Sequence, residues 1–254
     1  MGTVLRIGLT VAVLCVAAYS AACGGGQQEA PPAAAVVSNP VDPATAGSVR
    51  GAITLEGTPP APEPINMASD PYCEKLGTAT TETVAVGTDG ALQNVFVYVK
   101  DGLGDRTFPV PTTPVVFDQK GCRYVPHVLG IQVGQTFEIL SSDNTLHNVH
   151  AVPANNREFN KAHQLAGIKH THVFSTKEVM VPFKCDVHKW MNAYVGVLDH
   201  PFFAVTGSNG AFELKGLPPG TYTIEAWHEK LGTQTQSVTI GEKQTSDVAF
   251  TFKI

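Results

Sequence analysis

Phe183-Lys184-Cys185-Asp186-Val187-His188-Lys189-Trp190-Met191 sets a thiol, an imidazole and a thioether in one short loop, directly after an apolar, strand-like run. Upstream, Ser142-Asp143-Asn144-Thr145-Leu146-His147-Asn148-Val149 places a second imidazole just beyond another strand. Together they offer one thiolate, two imidazoles and one thioether. Soft sulfur donors with two imidazoles suit copper in both its oxidation states, because a His2Cys plane with a weak axial Met lies between the geometries that Cu(I) and Cu(II) prefer. Three donors come from a loop joining two strands and the fourth from a neighbouring strand end. A β-sandwich holds such a loop rigidly, so the donor cage exists before metal arrives. A C-x2-H spacing taken alone also suits zinc; the added Met and the upstream His-Asn favour copper.

His147-Asn148, the Cys185…His188…Met191 loop and the separation of the two parts resemble the small blue-copper cupredoxins of the plastocyanin and amicyanin type. Tyr124-Val125-Pro126 followed by a strand and Gly134-Gln135-Thr136 is similar to the stretch leading to the first ligand in that family. The resemblance covers roughly residues 114 to 200. It implies a Greek-key β-sandwich with His147, Cys185 and His188 as equatorial ligands and Met191 as axial ligand of one mononuclear copper. It also implies that Asn148 bridges the two ligand loops near the sulfur, which tunes potential.

The rest of the chain reads as all-β. Val49, Ile53 and Leu55 mark a first strand, and Val95, Val97 and Val99 alternate with Phe96 and Tyr98 in another. Strands follow at 115–117, 128–133, 136–140, 179–183 and 194–198, with Gly134-Gln135 as a tight turn. Residues 152–172 are polar and irregular, with room for a short helix. No stretch sustains a 3.6-residue apolar period.

Asn209-Gly210-Ala211-Phe212-Glu213-Leu214, followed by Gly216-Leu217-Pro218-Pro219-Gly220-Thr221-Tyr222-Thr223-Ile224, resembles the carboxypeptidase regulatory-like β-sandwich, a non-catalytic module. About 50 tail residues supply too few strands for a complete sandwich. Gly47-Ser48-Val49-Arg50-Gly51-Ala52-Ile53 is similar to the opening strand of the same module. Two arrangements therefore stand: a regulatory-like sandwich split by an inserted copper domain, or three segments in sequence. The segments are 48–113, 114–200 and 201–254. Pairing between residues 48–56 and 212–226 distinguishes the two.

At the N-terminus, Arg6 and the apolar run Ile7–Val16 read as a signal peptide over residues 1–22. Ser20-Ala21-Ala22-Cys23 resembles a bacterial lipobox, which implies lipidation at Cys23. Residues 23–47 then form a Gly-, Gln-, Ala- and Pro-rich tether. Export to an oxidising compartment, with Cys23 acylated and Cys185 on the metal, leaves Cys73 and Cys122 as a disulfide. Closing that loop contributes roughly 3–5 kcal/mol.

The protein has 254 residues, 43% hydrophobic and only 15% charged, with a net charge of −5. No basic patch suits phosphate, so nucleic acid is excluded as a partner. Only one His-x-His pair, His170 and His172, is present, too few for a trinuclear copper cluster, and four filled ligand positions leave none for substrate. The expectation is thus a non-enzymatic electron carrier of the cell envelope, periplasmic or anchored at the outer membrane. It meets a protein redox partner through an exposed edge of His188. Copper delivery, or a metal-stabilised structural surface module, remains the alternative. His150 reads as facing away from the metal site, and His170 and His172 as solvated loop residues.

Overall fold

The computed structural model describes residues 1–2 and 40–254; the signal-peptide and Cys23 assignments lie outside the described residues. In chain order the strands are β1 Gly47–Glu56, β2 Phe96–Asp101, β3 Val115–Gln119, β4 Tyr124–Val125, β5 Val128–Gln132, β6 Thr136–Ser141, β7 His147–Ala151 and β8 Phe159–His163. There follow β9 Lys169–Val173, β10 Glu178–Lys184, β11 Asn192–Leu198, β12 Phe203–Val205, β13 Ala211–Leu217, β14 Gly220–His228, β15 Gly232–Ile240 and β16 Thr245–Lys253. The one α-helix among the described residues is short, α1 Pro71–Lys75.

These strands form four sheets, ordered β13-β1-β16, β12-β2-β14-β15, β5-β11-β10-β7-β8 and β4-β3-β6-β9. The first two enclose one apolar core, with Val49, Ile53, Val97, Val99, Leu214, Ile224, Phe250 and Phe252 buried between them. The alternation along each strand causes this: β1 buries Val49, Ile53 and Leu55 and exposes Arg50 and Ala52. β1 pairs antiparallel with β13 and parallel with β16, so Val49 faces Leu214 and Ser246. The first strand and the tail therefore belong to one sheet, and the intervening chain carries the other sandwich.

That second sandwich packs sheet β5-β11-β10-β7-β8 on sheet β4-β3-β6-β9 around Phe117, Tyr124, Phe137, Phe174, Val181, Phe183 and Val195. Phe117 is central, within 5.5 Å of the rings of Tyr124, Phe137 and Phe183.

The two sandwiches are stacked back to back. The second face of β2, with Phe96 and Tyr98, packs on Val128, Met180 and Leu198 of sheet β5-β11-β10-β7-β8. Gly130 and Gly196 are register partners on β5 and β11. A Cβ on Gly196 would lie 2.4 Å from the Phe96 ring, and one on Gly130 2.3 Å from Phe203. Two strand-interior glycines thus form a flat platform for two aromatic rings, a close approach that no side chain permits. Four sheets in layers with three apolar interfaces result.

Residues 152–172 differ from the expected irregular stretch. They contain β8 and β9, each at the edge of its sheet, and no helix. An edge strand needs only one face apolar and one neighbour, so polar residues such as Asn160 and Lys161 obscure its pattern.

Candidate metal centre

β7 opens with His147, and β10 ends one residue before Cys185. The loop from Cys185 to Met191 folds on itself: Cys185 N donates to Met191 O (3.1 Å) and Met191 N to His188 O (2.9 Å). This turn directs Cys185 and His188 towards His147 from the neighbouring strand. One ligand atom from each of the three residues lies within 4.8 Å of the others, and all three residues are buried. Met191 is 1% exposed and lies in the same apolar cluster as Cys185.

The protonation pattern of the two histidines follows from their outer partners. His147 Nε2 lies 3.0 Å from Asp143 Oδ2, and His188 Nε2 lies 3.1 Å from Asp70 Oδ2. A carboxylate only accepts, so each Nε2 carries the hydrogen and each Nδ1 presents a lone pair. Those two Nδ1 atoms face each other at 2.8 Å. Lone pairs so placed repel unless something positive lies with them.

Burial pushes His147 down, but hydrogen bonds with Asp143 and Cys185 and their charges outweigh it and raise its pKa to about 8. Burial likewise pushes the Cys185 thiol up. His147 and the backbone N–H groups of Asn148, His188 and Val187 pull it further the other way, below its ordinary value. Burial and the neighbouring His147 charge lower His188, against the opposing pull of Asp70. The site is thus built for a cation beside a thiolate.

A transition-metal ion fits that description. Two nitrogens sharing one ion through bonds of about 2.0 Å stand about 3 Å apart, close to the spacing here. Each imidazole already has its far nitrogen held by a carboxylate, the arrangement that orients metal-binding histidines.

Asn148 ties the two ligand segments together. Its Oδ1 accepts from Asp186 N at 2.6 Å and lies 3.2 Å from Cys185 Sγ; its Nδ2 donates to Asn160 Oδ1 and Asp186 Oδ2. His150 points away from the centre, between Asp186 and Glu158. His170 and His172 are not loop residues but half-buried side chains of β9, packed on His163 and on Phe159.

His188 has no open edge, contrary to expectation. It is 2% exposed, with Trp190 at 4.8 Å on one side and Asp70 on its Nε2. The cover comes from residues 63–81, far away in sequence. Ile65 N donates to Ala79 O and Thr81 N to Glu63 O, closing the segment into a flap. The Cys73–Cys122 disulfide fastens it to the turn before β4, over a cluster of Met67, Tyr72 and Trp190.

Asp70 and Asp143 were not singled out by sequence reasoning. Asp143 stands four residues before His147 in the quoted loop. Asp70 has a weaker signal: an Asp-Pro pair opening a helix beside Cys73.

Residues 191–253 match the family model described as the carboxypeptidase regulatory-like domain. No curated protein matches the chain. Among solved structures, the chain is similar to a copper-containing nitrite reductase from Thermus scotoductus, at 18% identity and a TM-score of 0.33. That likeness covers 40% of this chain and 26% of the reductase, so the chain spans about a quarter of the reductase's length. A purple cupredoxin from Nitrosopumilus maritimus is similar at 23% identity and a TM-score of 0.29, over 33% of this chain and 98% of that one. A reduced amicyanin variant is similar at 22% identity and a TM-score of 0.30, over 35% and 85%. The chain is thus a nearly all-β protein with a carboxypeptidase regulatory-like domain at its C-terminal end and cupredoxins among its structural neighbours.

Proposed function

We propose that this protein is a type 1 copper protein of the cell envelope that carries single electrons and catalyses no reaction of its own. One observation carries the reading: the Nδ1 atoms of His147 and His188 converge with Cys185 while both Nε2 atoms are held by carboxylates. His147, Cys185 and His188 would hold the ion, with the Met191 thioether as the fourth donor. A copper ion bound there supplies one-electron chemistry by cycling between Cu(I) and Cu(II). The chain supplies rigidity. Cys185 and His147 are set by strand ends, and Asn148 and Asp186 lock the two loops, so little moves between oxidation states.

Cys23 lipidation anchors the protein to the membrane, and a protein redox partner exchanges the electron. The buried His188 makes this a covered site. The test is optical and analytical, on purified residues 40–254. Stoichiometric copper with an intense visible thiolate band that bleaches reversibly on reduction supports the reading. Cys185→Ser should abolish the band and keep the fold. Tight Zn(II) uptake without a stable Cu(II) form defeats it, and a colourless protein that takes only Cu(I) turns it into a delivery protein.

A further inference from the structure

We propose that Asp70 is a positioning residue for His188, and that the flap of residues 63–81 exists to deliver it. The inference rests on the copper reading and adds a residue to it.

The two carboxylate oxygens of Asp70 have separate duties. Oδ1 caps α1, accepting from Tyr72 N at 2.7 Å and Cys73 N at 3.1 Å. Oδ2 accepts from Thr145 Oγ1 at 2.7 Å and from His188 Nε2 at 3.1 Å. Thr145 stands two residues before His147, so one oxygen ties the upstream ligand loop to the downstream one. Burial works against the carboxylate's charge, but hydrogen bonds from Thr145, Cys73, Tyr72 and His188 hold its pKa at about 2.

The flap is fixed at both ends of this contact. Its disulfide partner Cys122 belongs to the turn that also feeds Asp143: Gly121 N and Cys122 N donate to the Asp143 carboxylate at 2.8 and 2.7 Å. The outer nitrogens of both candidate ligands are therefore held from the two sides of one disulfide. Cys73 Sγ itself lies 4.0 Å from His188 Nε2. Two consequences follow. The His188 ring cannot rotate without losing its acceptor, so its Nδ1 lone pair stays directed at the centre. External ligands have no path along the imidazole edge.

Asp70→Asn separates these duties. Asn keeps an oxygen for the helix cap but turns an NH2 donor towards the Nε2–H of His188. In the full chain, nitrogen-15 NMR of the metal-free wild type should show His188 protonated at Nε2, and the variant should shift it to the Nδ1–H tautomer. Cu(II) affinity should fall about tenfold or more. Free imidazole, without effect on the wild-type visible band, should perturb that of the variant.

An Nδ1–H tautomer for His188 in the metal-free wild type overturns the proposal whether or not the variant folds. So does a folded variant with unchanged tautomer, affinity and imidazole response. A wild type that shows the Nε2–H tautomer but takes up no copper defeats the electron-carrier reading and leaves the positioning by Asp70 standing.

Discussion

The Phe96 ring occupies the place of a side chain at Gly196: its Cζ, Cε1 and Cε2 would lie 2.4, 2.6 and 2.8 Å from a Cβ there. The ring cannot withdraw, because Phe203 stacks on it at 5.7 Å and Tyr98 lies at 5.5 Å. Gly196→Ala should therefore push the sandwiches apart locally and cost about 1–3 kcal/mol, the usual penalty for overpacking. Phe96→Ala alone should also destabilise, by leaving a cavity. The two changes combined should cost less than the sum of the two, since each removes the other's problem. Denaturant unfolding of the four proteins measures this. Simple additivity would show that the rings and glycines are not in contact.

This interface also marks where sequence reading stops. The convergence of Cys185 and His188 with His147 was legible because rare donor types sit close together in one loop. β1 and β13 were read as strands of one module from their resemblance to it, with a split and a sequential arrangement both open. The stacking of the two sandwiches was not legible. It depends on Phe96, Gly130, Gly196 and Phe203, which lie on four strands far apart in sequence. Asp70 escaped for the same reason. More than a hundred residues separate it from His188, and what brings it there is the disulfide between Cys73 and Cys122. That pairing followed from counting cysteines in a chain read as exported; its location beside two imidazoles did not. The buried state of His188 follows from the flap, so an open imidazole edge was the natural expectation for a loop read on its own.

The disulfide closes a loop with a sequence separation of 49, worth about 4 kcal/mol in chain entropy. Reduction by a dithiol should lower the denaturation midpoint, but its first effect should be local. The flap holds α1 by few bonds, among them Glu74 N to Asp70 O and Leu76 N to Cys73 O. Hydrogen exchange at Glu74 and Leu76 should accelerate after reduction while Val195 and Val197 in β11 stay protected. Equal acceleration in both places would mean that the flap is no separate unit.

Acid should destabilise the metal-free protein well before its carboxylates titrate. His200 is 3% exposed; its Nε2 donates to Val99 O at 2.9 Å and its Nδ1 accepts from Phe202 N. His228 is 1% exposed, with Nδ1 accepting from Lys230 N and Leu231 N. Burial lowers both to about 4, helped by Lys177 beside His200 and by His127 beside His228, and opposed by Asp199 and Glu229 respectively. In the unfolded chain both titrate near the ordinary value of about 6.5. Between those limits the unfolded state binds more protons, so stability falls as pH drops from 6.5 to 4. The loss is on the order of 3 kcal/mol per histidine. Asp70 acts in a lower window: its contribution is present above its ordinary 3.8 and disappears as pH falls through about 2. His127 has the opposite sign. Burial opposes its charge, but the buried Glu229 carboxylate raises its pKa, so its contribution is complete below 6.5 and is lost as pH rises past the raised value. Urea midpoints should rise from pH 4 to 6.5 and stop rising above that. His200→Gln, whose amide can still donate to Val99 O, should reduce that slope by close to one proton. A flat profile over this range would mean that these imidazoles take up protons in the folded protein as readily as in the unfolded one.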